Sequence, residues 1–375
     1  MQTKILFLES FYSGSHKAFA DGLVRNSRYK IDILTMPARF WKWRMKGAAL
    51  YFTEQIKNSE NYNLIFTTDL NNISDLKSLL GSKCPPVILY FHENQLAYPL
   101  NKNEKLDYHY GLIDLTNALS ADCVIFNSNT HRKTFFEKLH LFLNHLPDFV
   151  PDWNIDEIRD KSLVIYPGIE DLVLTKKEDK PGEQMNDIPL IIWNNRWEFD
   201  KNPEAFFNVL IKLKEESIPF QLALLGGKYK KQPPIFKEAE IILKKEIIHS
   251  GYIENFDDYI NMLKKGDIVI NTANQENYGI AAIEAILSGC RPLLPNRLSY
   301  PELIPAEFHS ECLYSDEIDL EKKLKRALKG DTVFKQNVLI DRMSGLCWNT
   351  IIKDFDDLFH ELVNRAGRDF VPARQ

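Results

Sequence analysis

Short apolar runs recur along the chain, and each is followed by a polar loop and then by a helix pattern. The first run spans Lys4 to Leu8 and leads through a loop containing Gly14 into a helix over Ala18 to Arg25. A similar run over Pro189 to Trp193 opens the second half of the chain. Continuous apolar runs of this length predict strands that are buried on both faces. Strands that alternate with helices predict an α/β fold with Rossmann-like halves.

The chain length and one polar segment predict two domains. A chain of 375 residues is long for one hydrophobic core and sufficient for two. Residues 176–187 (KKEDKPGEQMND) are polar, charged and interrupted by Pro-Gly, which predicts a linker. We therefore expect one domain over residues 1–175 and a second over residues 188–347, with a final helical segment in residues 348–375.

Charge and cysteine content limit the functional classes. The formal net charge is -5 and the pI is about 6.0, so any contact with RNA has to come from a local basic surface. No apolar run approaches the roughly 20 residues that a membrane-spanning helix requires. The cysteines are odd in number and form no CxxC pair. This indicates reduced thiols, no zinc site and a cytoplasmic protein.

The apolar run from Asp267 to Ile270 predicts a buried strand, and the segment from Asn271 to Leu287 after it predicts a loop and a helix with a carboxylate on each side of a Gly turn. Glu276 precedes the turn and Glu284 lies on the helix, on the order of 12 Å further along its axis. Free N–H groups at the start of the helix suit a phosphate. A nucleotide-sugar, with hydroxyls at both ends and a diphosphate between them, fits this spacing; a chance spacing of two solvated glutamates remains the alternative. The predicted donor-binding residues here are Asn277, Tyr278, Gly279, Ile280 and Glu284.

Other loops at strand ends add candidates for the donor site. Arg196 and Lys201 lie in the first loop of the second domain, where two cations can neutralise a diphosphate leaving group. The alternative is ordinary surface charge. Tyr252 is a candidate for stacking on a purine, with packing in the core as the competing interpretation. The backbone is also expected to border the donor where side chains are absent or small, at Gly14, Ser15, Gly226 and Gly227.

The segment from Met36 to Phe52 combines positive charge with aromatic rings. Cations neutralise phosphates and exposed rings stack on unpaired bases, so the segment suits a nucleic acid or another acceptor. Two alternatives remain open: a packed amphipathic helix, and a basic helix on a membrane surface. The residues that we assign to acceptor binding are Arg39, Lys42 and Arg44, which interleave with Phe40, Trp41 and Trp43.

Polar residues follow the predicted strand over Val87 to Phe91. The carboxyl ends of strands are where α/β sheets place ligands. His92 is expected to hydrogen-bond a sugar hydroxyl, with an ordinary loop histidine as the alternative. Glu93, Asn94 and Gln95 come next and are assigned to acceptor binding. The Pro-rich and aromatic segment from Leu141 to Asp156 is predicted to be an ordered surface excursion without an assigned role.

Several of these motifs together resemble a known enzyme group. The Gly14 loop, His92, the Arg196 and Lys201 pair and the Glu276 to Glu284 element occur in the order seen in GT-B glycosyltransferases of family 4. More narrowly, four segments resemble the tRNA-queuosine alpha-mannosyltransferases: FYSGSHK, PARFWKW, FHENQLAYP and NRWEFDKNP.

The resemblance implies a fold and a reaction. The fold is α/β of the GT-B type, with two Rossmann-like domains facing each other across a cleft and the helix near Trp348 to Arg365 crossing back to the first domain. The first domain would bind the acceptor and the second the nucleotide-sugar. The reaction is a retaining transfer of mannose from GDP-mannose to queuosine in the anticodon loop of an aspartate tRNA. The resemblance implies neither a metal nor another cofactor. It also implies no stable association with a membrane.

The resemblance also implies residue roles. Glu276 would hold the donor sugar and Glu284 the ribose, while Arg196 and Lys201 hold the diphosphate and His92 lies beside the sugar. Because the chain is acidic, tRNA binding is expected around residues 39–46 and, in addition, at Arg132-Lys133. Two alternatives are kept: a GT-B enzyme with a lipid or small-glycoside acceptor, and a non-catalytic RNA-binding protein with this fold.

Overall fold

A computed structural model of the chain describes residues 3–98, 107–148, 150–171, 187–227, 232–330 and 334–365. The chain forms two compact units. Unit 1 contains residues 1–168 and 346–375, and unit 2 contains residues 169–345. The sequence places these boundaries at residues 175 and 347. Residues 176–186, nearly all of the predicted linker, lie outside the described residues.

Unit 1 is built on a sheet of six parallel strands. In chain order they are β1 (Lys4–Tyr12), β2 (Lys30–Pro37), β3 (Leu64–Thr68), β4 (Val87–Phe91), β5 (Cys123–Phe126) and β6 (Ser162–Val164). Across the sheet the order is β2-β1-β3-β4-β5-β6, as in flavodoxin-like folds. In such sheets ligands bind outside the carboxyl ends of the strands where the order reverses, which is here between β1 and β3.

Helices cover both faces of this sheet because its strands are apolar on both sides. The first six helices are α1 (Gly14–Asn26), α2 (Trp41–Gln55), α3 (Ile73–Leu80), α4 (Tyr108–Ser120), α5 (Asn129–Leu143) and α6 (Trp153–Asp160). Buried residues of α2 to α6 form one hydrophobic layer against the sheet. Buried residues of α1 belong to the layer on the opposite face.

Unit 2 also contains six parallel strands. They are β7 (Leu190–Trp193), β8 (Gln221–Leu224), β9 (Ile247–Ser250), β10 (Ile268–Ile270), β11 (Arg291–Pro295) and β12 (Leu313–Tyr314). The order β12-β11-β10-β7-β8-β9 is that of dinucleotide-binding Rossmann folds. Here the order reverses between β7 and β10, so the loops after these two strands are the expected ligand site.

The helices of unit 2 lie between these strands or follow the last of them. They are α7 (Pro203–Glu215), α8 (Ile235–Ile242), α9 (Phe256–Lys265), α10 (Ile280–Leu287), α11 (Tyr300–Leu303), α12 (His309–Cys312), α13 (Glu317–Leu328) and α14 (Gln336–Met343). The predicted strand-loop-helix unit is therefore β10, its loop and α10. Local sequence accounts for this, because an apolar run follows directly on a glycine that allows the chain to turn.

The last helix, α15 (Trp348–Arg365), packs on the α1 face of unit 1. Trp348 is 1% exposed, and its indole lies against two glycines of the first part of the chain. A Cβ atom would come within 2.1 Å of the indole at Gly22 and within 2.2 Å at Gly168, so only glycine fits at either position. The prediction that the last helix returns to the first domain is confirmed.

Candidate active site

Lys201 joins the two loops at the switch point of unit 2. It follows β7 in the chain, yet its Nζ donates to the Gln275 carbonyl at 2.8 Å and to Glu276 Oε2 at 3.2 Å in the loop after β10. The residue is only 6% exposed. A buried ammonium has to be paired, and here it fixes the position of the Glu276 carboxylate. Two predicted site residues, 75 positions apart, are thus in direct contact.

Asp200 holds the two predicted cations next to each other. Its carboxylate is 3.3 Å from Lys201 Nζ and 3.8 Å from an Arg196 guanidinium nitrogen. Asp200 is 1% exposed, whereas the Arg196 side chain is 49% exposed and also pairs with Glu198 at 3.3 Å. The buried carboxylate offsets the repulsion between two neighbouring cations. Sequence reasoning did not single out Asp200, although its place directly before Lys201 was a signal.

Gly279 ends the loop and starts α10. Its φ of 95° lies in the left-handed region, and a Cβ there would be 2.9 Å from the Tyr300 ring, so glycine is required on both grounds. The first N–H groups of α10, from Ile280 onward, lie immediately after Asn277 and Glu276 in the chain. The Tyr278 side chain is 2% exposed and belongs to the core, so only its backbone can serve a ligand.

Glu284 lies on α10 and is held by a partner on α9. The Tyr259 hydroxyl donates to Glu284 Oε2 at 2.9 Å, and Asn194 Nδ2 lies 3.0 Å from that hydroxyl. Burial raises the pKa of Glu284 to about 7, against the opposing effect of the Tyr259 hydrogen bond. This carboxylate is therefore poised to change its charge near neutral pH. Tyr259 was not predicted, because nothing local in the sequence links it to Glu284.

The remaining predicted donor residues are placed in different surroundings. A Cβ atom at Gly226 would be 1.9 Å from the Asn195 carbonyl oxygen. Glycine is therefore required here by the packing of the backbone. At Gly227 a Cβ would meet open space. Tyr252 is 67% exposed, so the expectation of core packing is wrong for it. Gly14 and Ser15 are exposed at the start of α1, and Gly14 adopts a φ of 51°.

Two histidines and a buried glutamate meet at the carboxyl end of the unit 1 sheet. Glu9, on β1, is fully buried and lies 3.3 Å from His16 Nδ1 on α1. The rings of His16 and His92 are 4.2 Å apart between centroids. His92 is anchored through its backbone: its N–H donates to Asp69 at 2.9 Å, and its carbonyl accepts from Asn127 at 2.9 Å.

These surroundings make His16 positively charged and keep His92 neutral. Burial disfavours the charged form of His16, but the Glu9 carboxylate outweighs this and raises the pKa of His16 to about 9. Burial lowers the pKa of His92 well below its usual value, and the charge of His16 lowers it further. Burial also raises the pKa of Asp69 to about 7. At neutral pH the pair is an imidazolium beside a neutral imidazole, and the neutral ring can both donate and accept hydrogen bonds.

The same three side chains are the ones to consider for a metal. Donor atoms of Glu9, His16 and His92 all lie within 4.8 Å of one another. Glu9 is already engaged, however, since it accepts from the Phe11 N–H at 2.8 Å and pairs with His16. The chemistry of the group is therefore that of an ion pair beside a histidine. The expectation of a metal-independent reaction stays a prediction.

The loop after β4 is built by its own polar residues. Asn94 is 2% exposed, and its Oδ1 accepts from the Ala97 N–H at 2.9 Å, so its side chain shapes the turn. The Gln95 N–H donates to Asp114 at 2.6 Å, while the Gln95 side chain reaches Glu93 at 3.3 Å. Glu93 and Gln95 remain the partly exposed side chains beside His92.

The basic and aromatic segment forms α2 and the loop before it, and it has two faces. Arg44 is 6% exposed and donates to the Pro37 carbonyl at 3.0 Å. Its predicted place on the acceptor surface is therefore corrected, because the guanidinium faces inward and supports the loop. Arg39 and Lys42 are exposed, as are the rings of Phe40 (72%) and Trp43 (62%). One face of this helix is thus packed in the protein, and the other face is a cationic, aromatic surface exposed to solvent.

No helix in the described ranges is long and apolar enough to span a bilayer.

Comparisons with known structures agree with this fold. A sucrose-phosphate synthase from Thermosynechococcus elongatus superimposes with a TM-score of 0.73 at 14% identity, covering 97% of this chain and 100% of that one. HepE of Anabaena, in complex with UDP, superimposes with a TM-score of 0.67 at 14% identity, covering 96% and 100%. Residues 175–340 match the family described as glycosyl transferases group 1. The fold is GT-B, and the chain is a glycosyltransferase.

Sequence similarity narrows the class. Residues 4–169 match the family described as tRNA-queuosine alpha-mannosyltransferase N-terminal. A tRNA-queuosine alpha-mannosyltransferase of Drosophila melanogaster is 32% identical over 372 residues, covering 95% of this chain and 96% of that protein. The chain belongs to the tRNA-queuosine alpha-mannosyltransferase family. The alternative of a non-catalytic RNA-binding protein is set aside.

Proposed function

We propose that this protein transfers mannose from GDP-mannose to queuosine in the anticodon loop of a tRNA, with retention of configuration. The observation that supports this proposal best is the contact between Lys201 and Glu276 at the switch point, since these are the residues predicted to bind the diphosphate and the sugar. The family membership supports the acceptor. A cytoplasmic location belongs to the same proposal and is supported by an odd number of cysteines that form no CxxC pair.

In this proposal the donor diphosphate lies against Arg196, Lys201 and the first N–H groups of α10. These groups stabilise the negative charge that develops as the bond between the sugar C1 and the phosphate oxygen breaks. Glu276 accepts hydrogen bonds from the sugar hydroxyls and Glu284 from the ribose. The bonding electrons go to the phosphate oxygen, a queuosine hydroxyl forms the new bond to C1 on the same face, and its proton passes to the departing phosphate. No metal is required, because cations and a helix end carry the charge.

Unit 1 supplies the sugar and acceptor contacts in this proposal. His92, kept neutral, hydrogen-bonds a sugar hydroxyl, and Glu93 with Gln95 faces the acceptor. The exposed face of α2 and its preceding loop, with Arg39, Lys42 and the rings of Phe40 and Trp43, binds the phosphates and unstacked bases of the RNA.

The test is incubation of the purified protein with GDP-mannose and with total tRNA that either contains or lacks queuosine, followed by mass spectrometry of the nucleosides. We expect a hexose on queuosine, formed only with the modified tRNA and lost in Lys201→Ala.

If no product forms while calorimetry detects binding of GDP-mannose, the acceptor is a different molecule. A mobility shift with tRNA, set against sedimentation with anionic liposomes, then separates RNA from a lipid acceptor.

A further inference from the structure

A second basic surface lies on unit 1, between α5 and α6. It surrounds an open cavity of about 670 Å³ whose lining includes Asn129, Arg132, Lys133, Phe136 and Arg159. Four of these residues are among the first eight of α5, and Arg159 comes from the last turn of α6. The cavity is therefore a product of the packing of two helices.

Two guanidinium groups share one aromatic ring in this cavity. The Arg159 guanidinium carbon lies 4.4 Å from the centroid of the Phe136 ring, and that of Arg132 lies 5.8 Å from it. Arg132 is held in place by donating to Ser162 Oγ at 2.9 Å and to the Arg159 carbonyl at 3.2 Å. The cations are thus fixed side by side on an apolar floor, in an arrangement that is formed before any ligand arrives.

Their charge is not neutralised locally. Within the described part of the chain, neither Arg132 nor Arg159 forms an ion pair with a carboxylate within 4.0 Å. Lys133 adds a third cation, whose side chain is 77% exposed and whose partner Glu137 is 3.9 Å away and 61% exposed. An exposed pair at this distance contributes little. The lining of the cavity therefore contains three cations and one carboxylate, on a chain with a net charge of -5, and this excess of positive charge marks an anion-binding surface.

The position of the cavity connects it with the proposed transfer site. Asn127 donates to the carbonyl of His92, and α5 begins two residues later at Asn129. The cavity therefore starts beside the loop that carries His92. In addition, α2, α4, α5 and α6 form one helical layer on the sheet, so this surface and the exposed face of α2 lie in the same layer.

We propose that the Arg132–Lys133–Arg159 pocket binds phosphates of the tRNA backbone and so positions the anticodon stem-loop for transfer. This inference rests on the proposed function and deepens it. A planar guanidinium suits a phosphate because it donates two parallel hydrogen bonds, and contacts to phosphates fix register without reading sequence. The pocket accordingly serves affinity and orientation, and the choice of the modified base is left to the loops beside His92.

The experiment compares the full-length protein with Lys133→Gln, Arg159→Gln and the double variant. Lys138→Gln is the matched control, because Lys138 is exposed on the same helix and does not line the cavity. We expect the double variant to reduce the slope of log Kd for tRNA against log salt by roughly one to two. The KM for tRNA rises several-fold, whereas the KM for GDP-mannose stays as in the unaltered protein. Lys133→Gln alone gives a smaller change in the same direction and involves no packing contact.

Equal salt slopes and equal KM values for the double variant and Lys138→Gln would overturn the inference while leaving the proposed function intact. A loss of binding to anionic vesicles without any loss of binding to tRNA would overturn it as well. If the unaltered protein does not bind tRNA at all, the proposed function fails and the inference fails with it.

Discussion

Asp200 shows how one buried side chain can organise a site that it need not touch. Its carboxylate lies between Arg196 and Lys201, and its substitution by asparagine keeps the shape but removes the charge. The two cations then repel each other and Arg196 loses its fixed position, although Lys201 keeps its contacts with Gln275 and Glu276. We expect Asp200→Asn to lower kcat by about tenfold or more, since misplaced charge stabilises the leaving group poorly.

Steady-state kinetics with GDP-mannose and queuosine-containing tRNA provide the measurement. Glu198→Gln is the control, because Glu198 pairs with the half-exposed Arg196 at 3.3 Å, and the loss of such a pair should change kcat little. Equal losses in the two variants would show that Asp200 has no special part in positioning the cations.

The Glu9–His16 pair predicts how stability depends on pH. Because the pKa of His16 is raised from 6.5 to about 9 in the folded state, protonation favours folding. The stabilisation is fully present below pH 6.5 and is lost as the pH rises through about 9. A shift of this size corresponds to roughly 3 kcal/mol at most.

Urea denaturation at pH 6, 7, 8 and 9 checks this prediction. The difference in unfolding free energy between the unaltered protein and His16→Gln should be largest at pH 6 and shrink toward pH 9, and Glu9→Gln should show the same trend. His109→Gln, at an exposed histidine (77%), serves as the control. A difference that does not vary with pH would mean that His16 is not charged in the folded protein.

At the scale of elements, local signals were sufficient for α10 and insufficient for α6. The start of α10 follows from a glycine and an apolar run that are adjacent in the chain. The segment from Leu141 to Asp156 was predicted to be a surface excursion, yet its last residues form the first half of α6, whose Arg159 packs on Phe136 of α5. That pairing depends on two helices meeting in space.

The candidate site also contains residues that could be predicted from the sequence and contacts that could not. Residue types at strand ends predicted His92, Arg196, Lys201 and both glutamates, because parallel sheets bring strand ends to one edge. Contacts between distant residues, such as Tyr259 with Glu284, were not predictable from the sequence alone. The inward direction of Arg44 was missed because charge says nothing about which face of a helix a side chain occupies. The strand order of unit 1, which differs from that of unit 2, is likewise set by tertiary packing.

At the scale of the whole molecule, Trp348 ties the end of the chain to its beginning. Its indole fills the space above Gly22 and Gly168, so Trp348→Ala would leave a large cavity between α15 and the first part of the chain. Such truncations in a core cost about 3 to 5 kcal/mol. We expect a marked fall in the melting temperature of Trp348→Ala, measured by calorimetry, and little change for Trp153→Ala, whose side chain is 61% exposed. Equal melting temperatures would contradict the role assigned to α15.

The placement of α15 also has a consequence for synthesis. Unit 2 is continuous in the chain, whereas unit 1 needs residues from both sides of it. A ribosome therefore completes unit 2 before it releases the helix that covers Phe19, Phe66 and Tyr90 on one face of the first sheet. Until then that apolar face has no cover from α15, and a nascent chain at this stage is a natural client for chaperones. A message that ends early would yield a protein with a finished unit 2 and an unfinished unit 1.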